Sequence, residues 1–441
     1  MPTERSPGAG WARRWRARCA ITAFCHTAIG TGVTGALGNL YAAAVAAAVG
    51  IFALPAFFFG MITPYIIRLR IASVNTAGAT VGRLYALSTA GSILGTFLGG
   101  FVLISWFGST LILWGLAIAM LLLSLANSRQ RPWGRVLLLC AVLAWQDTLY
   151  AEWLAEKTGT RLVESPYNSI RIMKGVDYAR GARAVRLMAT DPGYSQSGML
   201  VDAPDELYFN YTRYYALGPR HVPQARRLLM LGGGGYSVPK WLLSGQSGLA
   251  DDFSLTVVEL DPAMTESARR WFGLREDPRL TVRHEDARAF LNSQDAAFDL
   301  VFVDVFNSHY SVPFQMGTVE AAQALRRAVA PGGALLMNVI SAVEGPDGRL
   351  FRGIWRALAG AFAEVRVYCV GRPAHPEHVQ NLMLVAFPEA RADAPAGYVP
   401  AGGAEEERME AHRYSRPIPP GAPLRDDYAP VERFTLMLAR Q

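Results

Sequence analysis

Two long stretches of this sequence carry no charged side chain, residues 19–67 and residues 84–127. No other feature constrains the chain as strongly. About 20 apolar residues in a helix cross a bilayer core, so each stretch is long enough for two crossings. Turn-prone residues divide them, near Gly38-Asn39 and near Trp106-Phe107-Gly108. The pattern predicts about four transmembrane helices, roughly 19–37, 42–67, 84–105 and 109–127.

The flanking charges set an orientation. Arg13, Arg14, Arg16 and Arg18 precede the first helix, and Arg68, Arg70 and Arg83 fall between the second and third. Arg129, Arg131 and Arg135 follow the fourth, and the two remaining turns are uncharged. Because basic loops stay on the cytoplasmic side, a multi-pass protein of the cell (inner) membrane is expected, with its soluble part cytoplasmic and the lipid bilayer as a partner. A cleaved signal peptide is the rival reading of the first block. Its apolar core, however, runs straight into another apolar stretch with no soluble start between them. Val136–Trp145 spans only ~15 Å as helix and reads as an interfacial connector, since a fifth crossing would move the soluble part outside. Gly91, Gly95 and Gly99 fit GxxxG twice, for which packing within the chain is the simpler role. Pro55 and Pro64 are expected to kink the second helix.

Charge also excludes a partner class. The formal net charge is +7, but residues 1–150 hold eleven Arg against one Glu and one Asp, which leaves the remainder at −2. The basic excess therefore belongs to topology, and nucleic acid is not expected. Cys19, Cys25, Cys140 and Cys369 form no CxxC or Cys/His spacing, so neither a disulfide scaffold nor a metal site is expected.

From residue 157 charges become frequent and apolar runs shorten to strand length. Short strands are predicted at Arg161–Glu164, Ser169–Met173, Ala184–Met188 and Met199–Val201. Strands alternating with helices follow, the pattern of a parallel α/β sheet: Arg227–Leu231, Ser254–Leu260, Leu280–Arg283, Asp299–Asp304, Ala334–Val339, Val365–Val370 and Leu382–Phe387. The expected organisation is a basic N-terminus (1–18), a membrane domain (19–127), a connector (128–156) and a small β-strand subdomain (157–222). An α/β domain (223–390) and a tail (391–441) follow, the tail read as a long surface excursion up to about residue 423.

Four motifs carry chemistry. The strand ending at Leu231 runs directly into Gly232, Gly233, Gly234 and Gly235 and then a helix-compatible segment, the arrangement in which backbone approaches a ligand at a helix N-terminus. Glu259 ends the second strand, where a carboxylate can accept from ribose hydroxyls; Asp261-Pro262 fits a helix N-cap. Asp286, before Ala287, either receives an adenine amino group or caps the next helix. Asp304 closes an apolar strand at the sheet edge, where open α/β proteins place reactive groups.

In this order the motifs resemble spermidine synthases, the polyamine aminopropyltransferase family, and in particular their membrane-fused branch. Glu164-Ser165-Pro166-Tyr167-Asn168, the segment Asp205–Tyr214, the stretch Ser311–Thr318 and the tail Asp426-Asp427-Tyr428-Ala429-Pro430-Val431-Glu432 add to the likeness. Phe59–Pro64, Gly82–Leu87 and Gly91–Gly95 resemble the last helices of that branch's larger membrane domain, which looks shortened here. The resemblance implies a membrane domain followed by a small β subdomain and a Rossmann-like, class I methyltransferase-type doubly wound sheet. It implies decarboxylated S-adenosylmethionine as co-substrate and a small amine as acceptor, without metal. By the same resemblance Gly232, Gly233 and Gly234 would line the nucleoside, Glu259 would bind ribose, Asp286 and Ala287 the adenine, and Asp304 would take a proton from the amine. Tyr167, Asn168, Tyr211, Asn307 and Asp427 would face the acceptor.

Two positions depart from the family pattern. Gly235 and Asn307 stand where the family has carboxylates. Poor use of a diamine is therefore expected, unless Asp426 or Asp427 substitutes. An S-adenosylmethionine-dependent methyltransferase, or a non-catalytic membrane module with a nucleoside-sensing domain, are the alternatives. The acceptor, the oligomeric state and any membrane partner are left open by the residues.

Overall fold

The computed structural model describes residues 40–71, 74–107, 109–126, 134, 156, 158–190, 194–305, 313–391, 404–431 and 434. The chain divides into two compact units, Met1–Tyr150 and Ala151–Gln441.

The first unit contains α1 (Leu40–Arg70), α2 (Val74–Trp106, including a π-helical turn at Leu98–Leu103) and α3 (Ser109–Ala126). These match three of the four predicted helices; the one expected at 19–37 and the stretch Val136–Trp145 lie outside the described residues. Two boundaries differ: α1 runs on through Arg68 and Arg70, expected in the loop after it. Arg83, expected in a loop, lies inside α2, because the helix starts well before its apolar portion. The π turn is closed by Ile104 N–H on Gly99 O and contains Gly99 and Gly100, whose missing side chains ease the widening. Among the described residues one helical stretch, Ala77–Leu103, is long and apolar enough to cross a membrane. Within this unit its side chains face outward, with Leu87, Leu94 and Phe101 each about 70% exposed.

The second unit begins with an antiparallel sheet, β1 (Arg161–Glu164), β2 (Ser169–Asp177), β3 (Arg183–Ala189) and β4 (Ser197–Leu200), paired in chain order. Short helical turns across Asn210–His221 lead into β5 (Arg227–Leu231). Then follow α4 (Ser237–Leu243), β6 (Ser254–Val258), α5 (Pro262–Trp271), β7 (Leu280–Arg283), α6 (Ala287–Ser293) and β8 (Phe298–Val303). The unit continues with α7 (Val319–Ala328), β9 (Val329–Ser341), α8 (Arg349–Ala359), β10 (Glu364–Cys369), β11 (Gln380–Phe387) and α9 (Ala404–Ala411).

The seven strands β5–β11 form one sheet in the order β10-β11-β9-β8-β5-β6-β7. Its alternate residues feed two cores: Met230, Val257, Phe302 and Leu336 face one layer, and Leu231, Val258, Val303 and Met337 face the other. Strands covered on both faces read as continuous apolar runs, which is how β5, β8 and β9 appear in the sequence. The chain reverses direction across the sheet between β5 and β8, and the crevice beyond their C-terminal ends is where such sheets bind ligands.

Two expectations are corrected here. The sheet is mixed, because β11 runs antiparallel to both β9 and β10. The tail is also more than a surface excursion. Within the stretch up to residue 423, Met409 is buried in one core and Tyr414 N–H donates to Val367 O at 2.8 Å; beyond it Leu424 and Val431 are buried in the other core and Val319 N–H donates to Leu424 O at 2.9 Å.

Candidate active site

β5 delivers the chain into a turn that only glycine tolerates. Gly232 (φ +91°) and Gly234 (φ +52°) are left-handed, a Cβ on Gly232 would strike the carbonyl of Asp304, and one on Gly233 would enter the Tyr236 ring. Tyr236 itself is left-handed at φ +56°, a strain of order 1–3 kcal/mol for a side-chain-bearing residue. Burial of its ring and a 2.7 Å hydrogen bond between its hydroxyl and Thr265 Oγ1 hold it there.

Glu259, just past β6, closes this turn from the side. Its Oε2 accepts from Gly233 N (2.8 Å) and Gly234 N (3.1 Å), and its Oε1 accepts from Asp261 N (3.0 Å). A carboxylate offers about four acceptor positions, so one remains on Oε1 for a ligand hydroxyl. Asp286 caps α6 through Oδ1, accepting from Arg288 N and Ala289 N at 2.9 Å each, and the same residue lines the cavity. The capping and ligand-facing readings of Asp286 are thus compatible.

Asp304 follows β8. Its Oδ1 accepts from Asn338 Nδ2 at 3.1 Å and its Oδ2 from the Tyr211 hydroxyl at 3.2 Å. Burial pushes its carboxyl above the usual range, and the donors on Asn338, Tyr211 and Tyr215 pull it back part of the way. Burial, then the nearby Asp304 charge, pushes the Tyr211 phenol well above its ordinary value, so it stays protonated and donates.

These groups converge on one cavity of about 680 Å³, lined by Gly232, Gly233, Gly234, Glu259, Asp286, Ala287 and Asp304 on the sheet side. Tyr167, Asn168, Gln196 and Tyr211 line it from the small-sheet side, and Pro313–Met316 edge it. Asp261, read from sequence as a helix cap, is one, accepting from Ala263 N at 3.0 Å. It also does more. Buried at 1% exposure, its Oδ2 accepts from Ser165 Oγ (2.6 Å) and Asn168 Nδ2 (2.8 Å), hooking the β1–β2 turn that carries Tyr167 and Asn168 onto the start of α5.

Asn307 lies outside the described residues. Asp427 is exposed and does not line the cavity, and Asp426 is already engaged, accepting from Thr318 Oγ1 (2.6 Å) and Arg288 Nη2 (2.9 Å). Among the described residues, therefore, neither one reaches the cavity, and Asp426 is turned towards α6 and the start of α7. Gly235 is explained sterically. Its N–H donates to Ser197 Oγ at 2.9 Å, and a Cβ there would lie 2.8 Å from Ser197 Cβ, so β4 fills the place of any side chain.

Sequence reasoning missed Gln196, Ser197 and Asn338. Only Asn338 left a signal, as a lone amide within the apolar run of β9. Away from the cavity, His375, Glu377 and His378 bring ligand-type atoms within 4.8 Å of one another, but Arg372 Nη1 lies 3.3 Å from His378 Nδ1 and already supplies a cation.

A model of the methyltransferase domain family matches residues 229–337. The chain is 26% identical over 164 residues to a polyamine aminopropyltransferase of Vibrio vulnificus, covering 36% of this chain and 52% of that protein. A polyamine aminopropyltransferase of Mycobacterium tuberculosis is 26% identical over 313 residues, covering 66% of this chain and 56% of that protein. The chain thus spans about half the length of these curated relatives. Among solved structures, a probable spermidine synthase from Corynebacterium glutamicum aligns at 24% identity and a TM-score of 0.46, covering 54% of this chain and 82% of that one. The similarity to polyamine aminopropyltransferases read from the motifs is borne out.

Proposed function

We propose that this chain is a membrane-anchored transferase that moves an aminopropyl group from decarboxylated S-adenosylmethionine to a small amine. The observation that carries the reading is Asp304, a partly desolvated carboxylate held by Tyr211 and Asn338 in the cavity that Glu259 and the glycine turn also line. The names of the curated relatives support the same reaction class.

The chemistry follows from what an amine needs. An alkylamine has a pKa near 10, about that of lysine, so at neutral pH its lone pair is blocked by a proton. In the proposed step the amine nitrogen attacks the aminopropyl carbon bonded to the sulfonium. The C–N bond forms, the C–S bond breaks with its electrons going to sulfur, and methylthioadenosine leaves uncharged. Asp304 takes the surplus proton. Glu259 would hold the ribose, Asp286 and Ala287 the adenine, and Gly232, Gly233 and Gly234 the nucleoside face. Tyr167, Asn168 and Tyr211 would border the acceptor. The outward-facing apolar side chains of α2 support anchoring in lipid, because the stretch Ala77–Leu103 is long and apolar enough to cross a bilayer.

The methyltransferase domain match favours one second reading, methyl transfer from S-adenosylmethionine. Product analysis separates the two. The full chain, incubated with each form of the co-substrate and a panel of amines, should release methylthioadenosine from the decarboxylated form. Release of S-adenosylhomocysteine from the carboxylated form, with a methylated product, would overturn aminopropyl transfer.

A further inference from the structure

Asp304 is the first member of a hydrogen-bonded series that crosses three strands. Val303 of β8 pairs with Met337 of β9, which brings Asp304 level with Asn338. Asn338 Nδ2 donates to Asp304 Oδ1 at 3.1 Å, and Asn381 Nδ2 of β11 donates to Asn338 Oδ1 at 3.0 Å. Asn381 lies diagonally across the β9–β11 pair, since Asn338 pairs with Met383. Asn338 is 2% exposed, so water does not compete for its amide.

Polarity makes this series directional. An ionised carboxylate only accepts, so Asn338 must turn Nδ2 towards Asp304. Its Oδ1 is then left facing β11 and needs a donor there, which Asn381 Nδ2 supplies. Without that donor the buried Asn338 oxygen is left unpaired and the amide loses the contact that fixes its orientation; an acceptor at 381 would go further and favour the amide rotated half a turn, with an oxygen facing the carboxylate. We propose that Asn381 is a positioning residue for Asp304: through Asn338 it fixes which end of a buried amide meets the carboxylate, and so keeps Asp304 ionised and aimed into the cavity. This rests on the proposed role of Asp304 as proton acceptor.

Asn381→Asp is the informative variant, because it keeps the shape and reverses the hydrogen-bonding polarity. Asn381→Leu removes the donor without adding a charge. Each is measured in the full chain by methylthioadenosine release across pH, by calorimetric binding of methylthioadenosine and by melting temperature. One lost hydrogen bond to a charged group corresponds to about one pKa unit. Turnover on the acid limb of the pH–rate profile is therefore expected to fall by up to about tenfold, that limb being displaced upward by about one unit. Methylthioadenosine affinity should stay within about twofold. Combining either variant with Asp304→Asn should give no further loss, since groups acting as a unit are not additive.

A second readout needs no turnover. The Asp304-dependent part of stability is the difference in melting temperature with and without Asp304→Asn, at pH 5 and at pH 8. It should become more unfavourable at pH 8 in the Asn381→Leu background. If the wild type releases no methylthioadenosine with any amine, the transfer reading fails and this readout still decides the relay. Unchanged turnover, pH profile and Asp304-dependent stability in both variants would overturn the proposal. So would a loss that persists in full when Asp304 is already Asn.

Discussion

Asp304 and Gly235 show two different ways in which a single position decides what this site can do. For Asp304 the folded pKa is raised, so ionising it costs more in the folded chain than in the unfolded one. The associated stability is present below the ordinary aspartate range and is lost as pH rises through the raised value. Asp304→Asn should therefore cut turnover by about 10²–10⁴-fold, the usual contribution of a positioned acid–base group. The same substitution should leave the melting temperature unchanged or higher at pH 8, with a smaller benefit at pH 5. Kinetics and thermal denaturation at both pH values check this, and a variant destabilised at pH 8 would count against a buried, desolvated carboxylate. Gly235 is limited by space instead. Gly235→Asp would bring a Cβ to 2.8 Å from Ser197 Cβ. Overpacking of that kind costs about 1–3 kcal/mol, so melting several degrees lower is expected with no gain in turnover of putrescine. Improved diamine use by this single variant would show that the pocket, and not β4, had been limiting.

Among the elements, hydrophobic runs were the most legible signal. The bounds of β1, β5 and β7 coincide with the sequence expectation, because their apolar or alternating residues stop at Gly, Pro or charged turns. The direction of β11 was not read, although the reason is local. Residues 370–379 hold two prolines and no helix, and a parallel return needs a longer crossover, so β10 and β11 had to form a hairpin. In the site, the glycine turn, Glu259, Asp286 and Asp304 were legible because each follows a strand. Ser197 and Gln196 were not, since their importance comes from packing between two sheets that no local pattern encodes. Asp261 was read only in its local role. It joins the β1–β2 turn to α5, so Asp261→Ala should remove a cap worth about 0.5–2 kcal/mol and also release Ser165 and Asn168. The expected result is a lower melting temperature and a KM for the acceptor that rises more than methylthioadenosine affinity falls. Equal effects on both would mean that the turn does not border the acceptor.

At the scale of the molecule, the Arg clusters predict that the chain after α3 is cytoplasmic. A reporter fused after Arg135 should behave as cytoplasmic; a periplasmic signal would overturn the topology and with it the supply of an adenosyl co-substrate. The tail described above adds a matter of timing. Leu424 and Val431 complete the core beneath α7 and α8, and Asp426 ties Thr318 to Arg288 beside the Asp286 cap. A ribosome makes α1–α3 first and residues 404–431 some 300 residues later, at about 5–20 residues per second. The strands that carry the site are themselves made during that interval; only over its last part, from the end of β8 at Val303 to Val431, are they present without the segment that finishes their packing, which is roughly 6–26 s at that rate. The apolar helices meet their environment long before the cavity can bind anything.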